Sequence, residues 1–347
     1  MSTVLAVNAG STSVKVSRLV DGADAVAPDD LDAALSGPRP DAVVHRVVHG
    51  GDRTSPAVVD DTLVAELRRL TELAPLHQPP ALDALDRCRA TWPTVQQIAC
   101  FDTSFHASLP AAARTYALPE RWRRRVRVYG FHGISHAWST ARALEHHPAA
   151  RRVLVAHLGG GQSLCGSLDG FSAVTTMGFT PLDGLVMGTR SGTLDPGALL
   201  WLTAHTDEDV GAVLERESGL LGLAGTSDTA ELVDRAEEGD DTAGTALDVW
   251  THRFLREAGG CAAVLGGLDV IVFTGGVGEN SALIRRRVVD GLSWLGLGLD
   301  DSGRPPTDDG VRDLTAPGSS VAVLVVPARE DRQMLHDAAP LLTPLVR

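Results

Sequence analysis

Six short apolar runs punctuate the chain: Val4 to Val7, Ala42 to Val48, Gln97 to Phe101, Val153 to His157, Val270 to Phe273 and Val321 to Val326. They are too short for helices, rich in valine and bounded by polar or glycine-containing segments, which predicts buried strands. Between them, apolar residues recur three and four apart over Asp61 to Leu73, Ala81 to Thr91, Ser135 to His146, Gly197 to His205, Asp241 to Leu265 and Ser281 to Leu292. That spacing puts the apolar side chains on one face of a helix. Strands alternating with helices predict an α/β fold rather than segregated layers. The Pro/Gly/Asp-rich segments Asp21 to Pro40 and Asp300 to Gly318 read as loops, neither long enough for a flexible tether.

The pattern repeats itself. Val4 to Lys15 runs through an apolar strand into Asn8-Ala9-Gly10-Ser11-Thr12-Ser13, leaves as a second strand and closes at Asp21-Gly22. Val153 to Leu164 does the same through His157-Leu158-Gly159-Gly160-Gly161-Gln162-Ser163 and closes at Asp169-Gly170. Small residues at a tight turn expose backbone N–H groups, which is what a phosphate requires. Lys15 is the only lysine of the chain and stands beside the first turn, where a compact ammonium differs in function from arginine. No Gly-Lys dipeptide occurs, so a Walker-type loop is absent. Two such hairpins predict two related domains around a nucleotide cleft. This resembles the actin/hexokinase-like (ribonuclease H-like) arrangement, also that of the heat-shock chaperone ATPases. The expected division is 1–104 plus 331–347 as a first domain, carrying the acceptor and metal, and 105–330 as a second, carrying the nucleoside site and the dimer interface.

Composition narrows the partners. A chain of 347 residues can fill two cores, and a net charge of −13 argues against nucleic acid and against an anionic membrane surface. The arginine clusters Arg121 to Arg127 and Arg285-Arg286-Arg287 read as solvated faces. Ser2 and Thr3 lead directly into a strand, with no signal peptide and no membrane-length apolar stretch. Cys88, Cys100, Cys165 and Cys261 are scattered, with neither zinc-site nor disulfide spacing, and read as buried thiols of a reducing cytoplasm.

The polar motifs cluster at strand ends, where ligands bind in α/β sheets. In order they are NAGSTSVK, HRVVHGG, LAPLHQP, FDTSFH, YGFHGISH, HLGGGQS, MGFTPLDG, MGTRSG, FTGGVGEN and VPAREDRQM, spanning Val4 to Met334. This collinear series resembles the acetate kinase family, including its propionate and butyrate kinase relatives. The resemblance implies a phosphotransferase: ATP plus acetate or a similar carboxylate giving ADP and an acyl phosphate, with Mg2+, as a homodimer. A carboxylate acceptor is already ionised at neutral pH and needs no base, so the chemistry calls instead for fixed cations and donors. Arg46 and Arg190 suit that need.

The family roles carry over as follows. Arg46 would hold the acceptor carboxylate, and Arg190 and His132 would stabilise the phosphoryl group in flight. Asp102 would be the essential acidic residue, orienting Arg46 or the metal's waters rather than acting as a base. Asn8 and Glu330 would place Mg2+, directly or through water. Val48, Leu76, Phe131 and Pro181 would form the apolar pocket for the acceptor's alkyl end. Phosphates and nucleoside would meet Ser11, Ser13, Lys15, His157, Leu158, Gly159, Gly160 and Gly161, then Asp228, Thr229 and Ala230, then Gly275, Gly276, Val277, Gly278, Glu279 and Asn280.

Four departures from the family pattern stand out. The segment between Lys15 and His45 is short. Gly160 replaces an asparagine, Ala230 an arginine of the adenine site, and Arg329 the asparagine before the metal-site glutamate. They leave open a propionate-preferring or pyrophosphate-using enzyme of the same family, and a nucleotide-binding regulator without turnover. A zinc hydrolase built on His45/His49 or His132/His136 is disfavoured. Neither pair has a glutamate after its first histidine, and Gly133 interrupts a continuous helix.

Overall fold

A computed structural model describes residues 2–10, 14–301 and 305–342. The chain divides into two compact units: Met1–Ala107, Phe131–Trp138 and Arg329–Arg347 form one, and Ser108–Gly130 with Ser139–Ala328 the other. No helix of the described residues is long and apolar enough to cross a membrane.

The first unit is built on six strands: β1 (Thr3–Ala9), β2 (Val14–Val20), β3 (Ala23–Asp24), β4 (Ala42–Val47), β5 (Ala57–Val58) and β6 (Gln96–Phe101). Their order is β3-β2-β1-β4-β6-β5. Strands β1, β4 and β6 run parallel, while β2, β3 and β5 are antiparallel to their neighbours. Alternation gives the sheet two buried faces. Leu5, Val7 and Val43 pack with Leu31, Ala81, Ala84 and Cys88. Ala6, Val44, Ile98 and Cys100 pack with Ile134, Met334 and Ala338.

The second unit repeats this plan with β7 (Arg152–Leu158), β8 (Gln162–Leu168), β9 (Phe171–Thr175), β10 (Val270–Thr274), β11 (Arg312–Asp313) and β12 (Ala322–Val325). Read from the meander edge, the order is β9-β8-β7-β10-β12-β11, strand for strand that of the first sheet. Both Asp-Gly dipeptides form the expected hairpin turns, with positive φ at both residues: 47° and 78° at Asp21-Gly22, 52° and 86° at Asp169-Gly170. The echo extends to hydrogen bonds. Thr3 N donates to Asp41 Oδ2 at 2.7 Å and Arg152 N to Asp269 Oδ2 at 2.8 Å, each tying the first strand to the start of its parallel neighbour.

The sequence-predicted strands all appear, and the predicted helices appear with ends moved by a few residues; the stretch after Asp61 is helical to Arg69 and continues as a 3-10 turn, Leu70–Leu73. The reading of Asp21 to Pro40 as a loop needs correction: it contains β3 and a helix, Leu31–Ser36, capped by Asp30. Two residues of strand and a helix under two turns leave no periodicity to read. The third strand of the meander is thus retained but reduced, two residues against five in β9.

Candidate active site

In the first unit, strand register assembles the site. Lys15 pairs with Asn8 across β2 and β1, and Asn8 with Arg46 across β1 and β4, so the three side chains stand in one row on one face. Asp102 follows the end of β6 and is buried. Its Oδ1 and Oδ2 accept from Arg46 Nε at 3.0 Å each, and Oδ2 accepts again from Nη2 at 2.6 Å. Arg46 Nη1 donates to Asn8 Oδ1 at 3.1 Å. Burial opposes the charge of Arg46, but Asp102 and then Glu330 outweigh it, so its pKa rises. The guanidinium is therefore a fixed cation.

His132 lies beside this pair. Helix Gly133–His146 begins with Gly133 N donating to Asp102 O at 2.9 Å, and a β-carbon at Gly133 would come within 2.1 Å of that oxygen. Only glycine fits there. The close approach holds His132 at φ 56°, a left-handed conformation that a non-glycine residue keeps at a cost. His132 thus precedes the helix and His136 lies in it, with rings 6.4 Å apart and no shared helical face. Phe131 and Val48 are buried and Leu76 is partly buried, all in this unit. The Phe131 carbonyl lies 2.9 Å from His106 Nε2, and its ring packs edge-on against His49 at 5.6 Å.

Two residues holding the HRVVHGG segment escaped the sequence reading. Gln78, fully buried, accepts from His49 N and donates to His49 O, both at 3.1 Å, and donates to Leu67 O at 3.2 Å. Thr103 Oγ1 accepts from Gly50 N at 3.2 Å. Gln78 lies inside LAPLHQP and Thr103 inside FDTSFH, but neither motif shows which backbone its polar residue holds. Ser11 and Ser13 lie outside the described residues.

In the second unit the glycine motifs meet at the tip of the β7–β8 hairpin. Gly159 N donates to Gly161 O at 3.1 Å across the turn that joins Leu158 to Gln162. Gly275, at φ 79°, lies so close to Leu158 that a β-carbon would stand 2.8 Å from its carbonyl oxygen. The same construction at Gly188 would stand 3.3 Å from Ser227 O and 3.7 Å from Gly160 O. HLGGGQS, FTGGVGEN, MGTRSG and the segment before Asp228 therefore share one surface. Beside it is a cavity of about 560 Å³ lined by Asp228, Thr229, Ala230, Gly276, Val277 and Asn280, together with Asp234 and Glu237. Glu279 has a structural task within this group: Oε1 accepts from Gly275 N and Ala328 N, both at 3.0 Å.

Arg190 is buried in the second unit, with Nη1 donating to Pro181 O at 3.2 Å. Burial pulls its pKa below the ordinary guanidinium value, and the charge of Glu215 opposes this. A cation desolvated in this way gains when an anion arrives. Its loop closes on Gly219, at φ 64°, where a β-carbon would come within 2.2 Å of Met187 O and 2.7 Å of Arg190 O.

No group of three or more His, Cys, Asp or Glu side chains that could hold a metal occurs among the described residues. A protein-caged zinc does not fit that donor set. Asn8 Oδ1 and the Glu330 carboxylate are hard oxygen donors that both act on Arg46. They fit Mg2+, which keeps most of its waters and takes few protein ligands.

Comparison with known proteins identifies the family of the chain. The Acetokinase family matches over residues 29–336. The acetate kinase of Clavibacter michiganensis subsp. michiganensis is 46% identical over 308 residues, covering 86% of this chain and 78% of that protein. The propionate kinase of Edwardsiella piscicida is 44% identical over 310 residues, covering 86% and 77%. The crystal structure of Porphyromonas gingivalis acetate kinase superposes with a TM-score of 0.85 at 30% identity, covering 99% of this chain and 100% of that one.

Proposed function

This chain belongs to the acetokinase family and is a carboxylate kinase, and from that premise we propose direct in-line transfer of the γ-phosphoryl group of ATP to acetate or a similar short-chain carboxylate. The observation that carries the reading is the commitment of Asp102: both its oxygens are taken by Arg46. A buried carboxylate engaged in this way is a poor base, as the reaction requires none, and a good orienter of a cation.

In this reading Arg46 binds the acceptor carboxylate through the N–H groups that Asp102 and Asn8 leave free. Val48, Leu76, Phe131 and Pro181 surround its alkyl end. Arg190 and His132 stabilise charge on the phosphoryl oxygens as it passes. Lys15 and the hairpin His157 to Gly161 hold phosphates, and the cavity at Asp228, Thr229 and Ala230 with Gly275 to Asn280 takes the nucleoside. Asn8 and Glu330 hold Mg2+, which would neutralise phosphate charge when bound. The two domains of this reading follow the two compact units, so that Phe131, His132 and Glu330 stand in the same unit as Asn8, Arg46 and Asp102.

A homodimer is supported by helix Pro196–His205, which buries none of its residues and exposes Leu199, Leu200 and Trp201. A reducing, cytoplasmic setting is supported by four free, buried cysteines. Two observations favour variants of the activity: the similarity to a propionate kinase, and Gly160 and Ala230 at the donor site. A hydroxamate assay for acyl phosphate, run over acetate, propionate and butyrate with ATP or pyrophosphate, separates them. No acyl phosphate with any pair would favour a nucleotide-binding regulator.

A further inference from the structure

Glu330 opens helix Glu330–Ala338, yet its N-cap is Arg329, whose side chain makes no capping hydrogen bond. An arginine there puts positive charge at the positive end of the helix dipole. Its guanidinium is engaged elsewhere. Nε donates to Asp331 Oδ1 at 2.9 Å, Nη2 to Asp331 Oδ2 at 3.0 Å, and Nη2 also to Asp24 Oδ1 at 2.5 Å. Asp24 belongs to the shortened strand β3 and pairs in addition with Arg332 Nη2 at 2.9 Å. Arg332 Nη1 donates to Gly22 O at 2.6 Å, in the turn before β3. The Asp24 carboxyl lies below its ordinary range, chiefly through its bond to Arg329.

These contacts sort the three acidic side chains. Asp24 and Asp331 are drawn onto arginines, while Glu330, between Arg329 and Asp331, attracts Arg46 through its charge. Without Arg329, the carboxylates of Asp331 and Asp24 would repel each other, and Asp331 would compete with Glu330 for any cation. We propose that Arg329, with Asp24 as its anchor, is a positioning residue: it fixes the first turn of helix Glu330–Ala338 and reserves Glu330 as the carboxylate presented to the metal. This rests on the reading that Glu330 helps to hold Mg2+. The shortened segment after Lys15 thereby supplies a brace rather than only a deletion.

Half-exposed ion pairs of this kind add little to stability, so Asp24→Asn and Arg329→Asn should fold. The test is calorimetry of ADP binding to the full chain in EDTA and with Mn2+. In EDTA, both variants and Glu330→Gln should bind ADP as the unmodified protein does. With Mn2+, the gain in ADP affinity should fall about tenfold in Asp24→Asn and Arg329→Asn, the low end for partners that orient a metal ligand. Asp24→Glu, which keeps the charge, should retain most of the gain. A full Mn2+ gain in Asp24→Asn and Arg329→Asn, with the gain lost in Glu330→Gln, overturns the brace and leaves the metal reading standing. A full gain in Glu330→Gln overturns the metal reading and the brace with it.

Discussion

Asp102 spends its carboxylate on Arg46, with contacts of 3.0, 3.0 and 2.6 Å to two nitrogens of the guanidinium. Asp102→Asn removes the carboxylate that orients the partly buried Arg46 guanidinium and balances its charge. A hydrogen bond to a charged group is worth about 1.5–3 kcal/mol, so turnover with limiting carboxylate should fall roughly 10- to 150-fold. The pH dependence of the residual rate should keep its shape, because no proton passes through Asp102. An acid limb that is present in the unmodified protein and vanishes in the variant would make Asp102 a base after all.

The fold was legible in the sequence, and residue type and strand register agree in where they place the proposed site residues. Asn8 and Lys15 bound one hairpin motif and Arg46 follows on a separate strand, yet pairing across three strands puts all of them on one face. The duplication was equally legible, since Asp-Gly turns and apolar runs are local signals. What escaped reading depends on distance. Gln78 acts on His49 through backbone atoms 29 residues away, and Asp24 meets Arg329 across 305 residues. Helix Glu330–Ala338 was missed because it starts on an arginine rather than a capping residue.

In the proposed role, the desolvated guanidinium of Arg190 would gain most when charge builds on the phosphoryl oxygens. Arg190→Ala should therefore cost about two to three orders of magnitude in turnover while nucleotide affinity stays nearly intact. Turnover and calorimetric nucleotide binding, measured side by side, check this. A variant that keeps most of its rate would remove Arg190 from the chemistry.

The cavity proposed for the nucleoside carries Asp228, Asp234 and Glu237 and no arginine, and Ala230 N caps its helix on Asp228 Oδ1 at 2.8 Å. Nothing lies within 4 Å of a β-carbon built at Gly160, so a side chain fits there. ATP binding should be weak and tolerant of other bases. Ala230→Arg and Gly160→Asn should each tighten it, by about tenfold for a bond of 1.4 kcal/mol. Tight, adenine-selective binding by the unmodified protein would show that other residues do this work.

Stability should fall in mild acid. His45 and His106 are buried, and burial pulls both down to about 4, against weaker upward pulls from Gln97 and the Phe131 carbonyl. His45 Nε2 lies 2.8 Å from Gln97 Oε1, and among the described residues neither His45 Nδ1 nor Gln97 Nε2 has a partner. A histidine whose folded pKa is depressed binds its proton first in the unfolded chain. Stability is thus complete above the unfolded value near 6.5 and declines as pH falls towards 4, by up to about 1.4 kcal/mol per pH unit for each histidine. Asp269, held at about 2 chiefly by its bond to Arg152, loses its contribution only below the ordinary carboxylate value of 3.8. The interval from pH 6.5 to 4 therefore reports on the histidines, opposed at its acid end by Asp337, whose burial raises its carboxyl and favours its protonation in the folded chain. Urea midpoints taken across it should drop, and His45→Leu should flatten the slope. A flat profile in the unmodified protein would mean that these rings take up protons in place.

The row Lys15, Asn8, Arg46 sets the last expectation. Residues paired across strands stand about 5 Å apart, so Lys15 and Arg46 flank Asn8 and lie roughly twice that distance from each other. Such a spacing lets two cations face one polyanion without crowding each other. Lys15→Arg keeps the charge but replaces a compact ammonium with a planar guanidinium that reaches towards Asn8 and the face where phosphate must enter. The KM for the phosphoryl donor should rise, with the carboxylate KM unchanged, because Arg46 keeps its hold on Asp102. Lys15→Gln should lose more, since the charge goes as well. Steady-state kinetics with each substrate varied in turn will show the split. Unchanged donor kinetics in Lys15→Arg would make the only lysine of the chain incidental to phosphate binding.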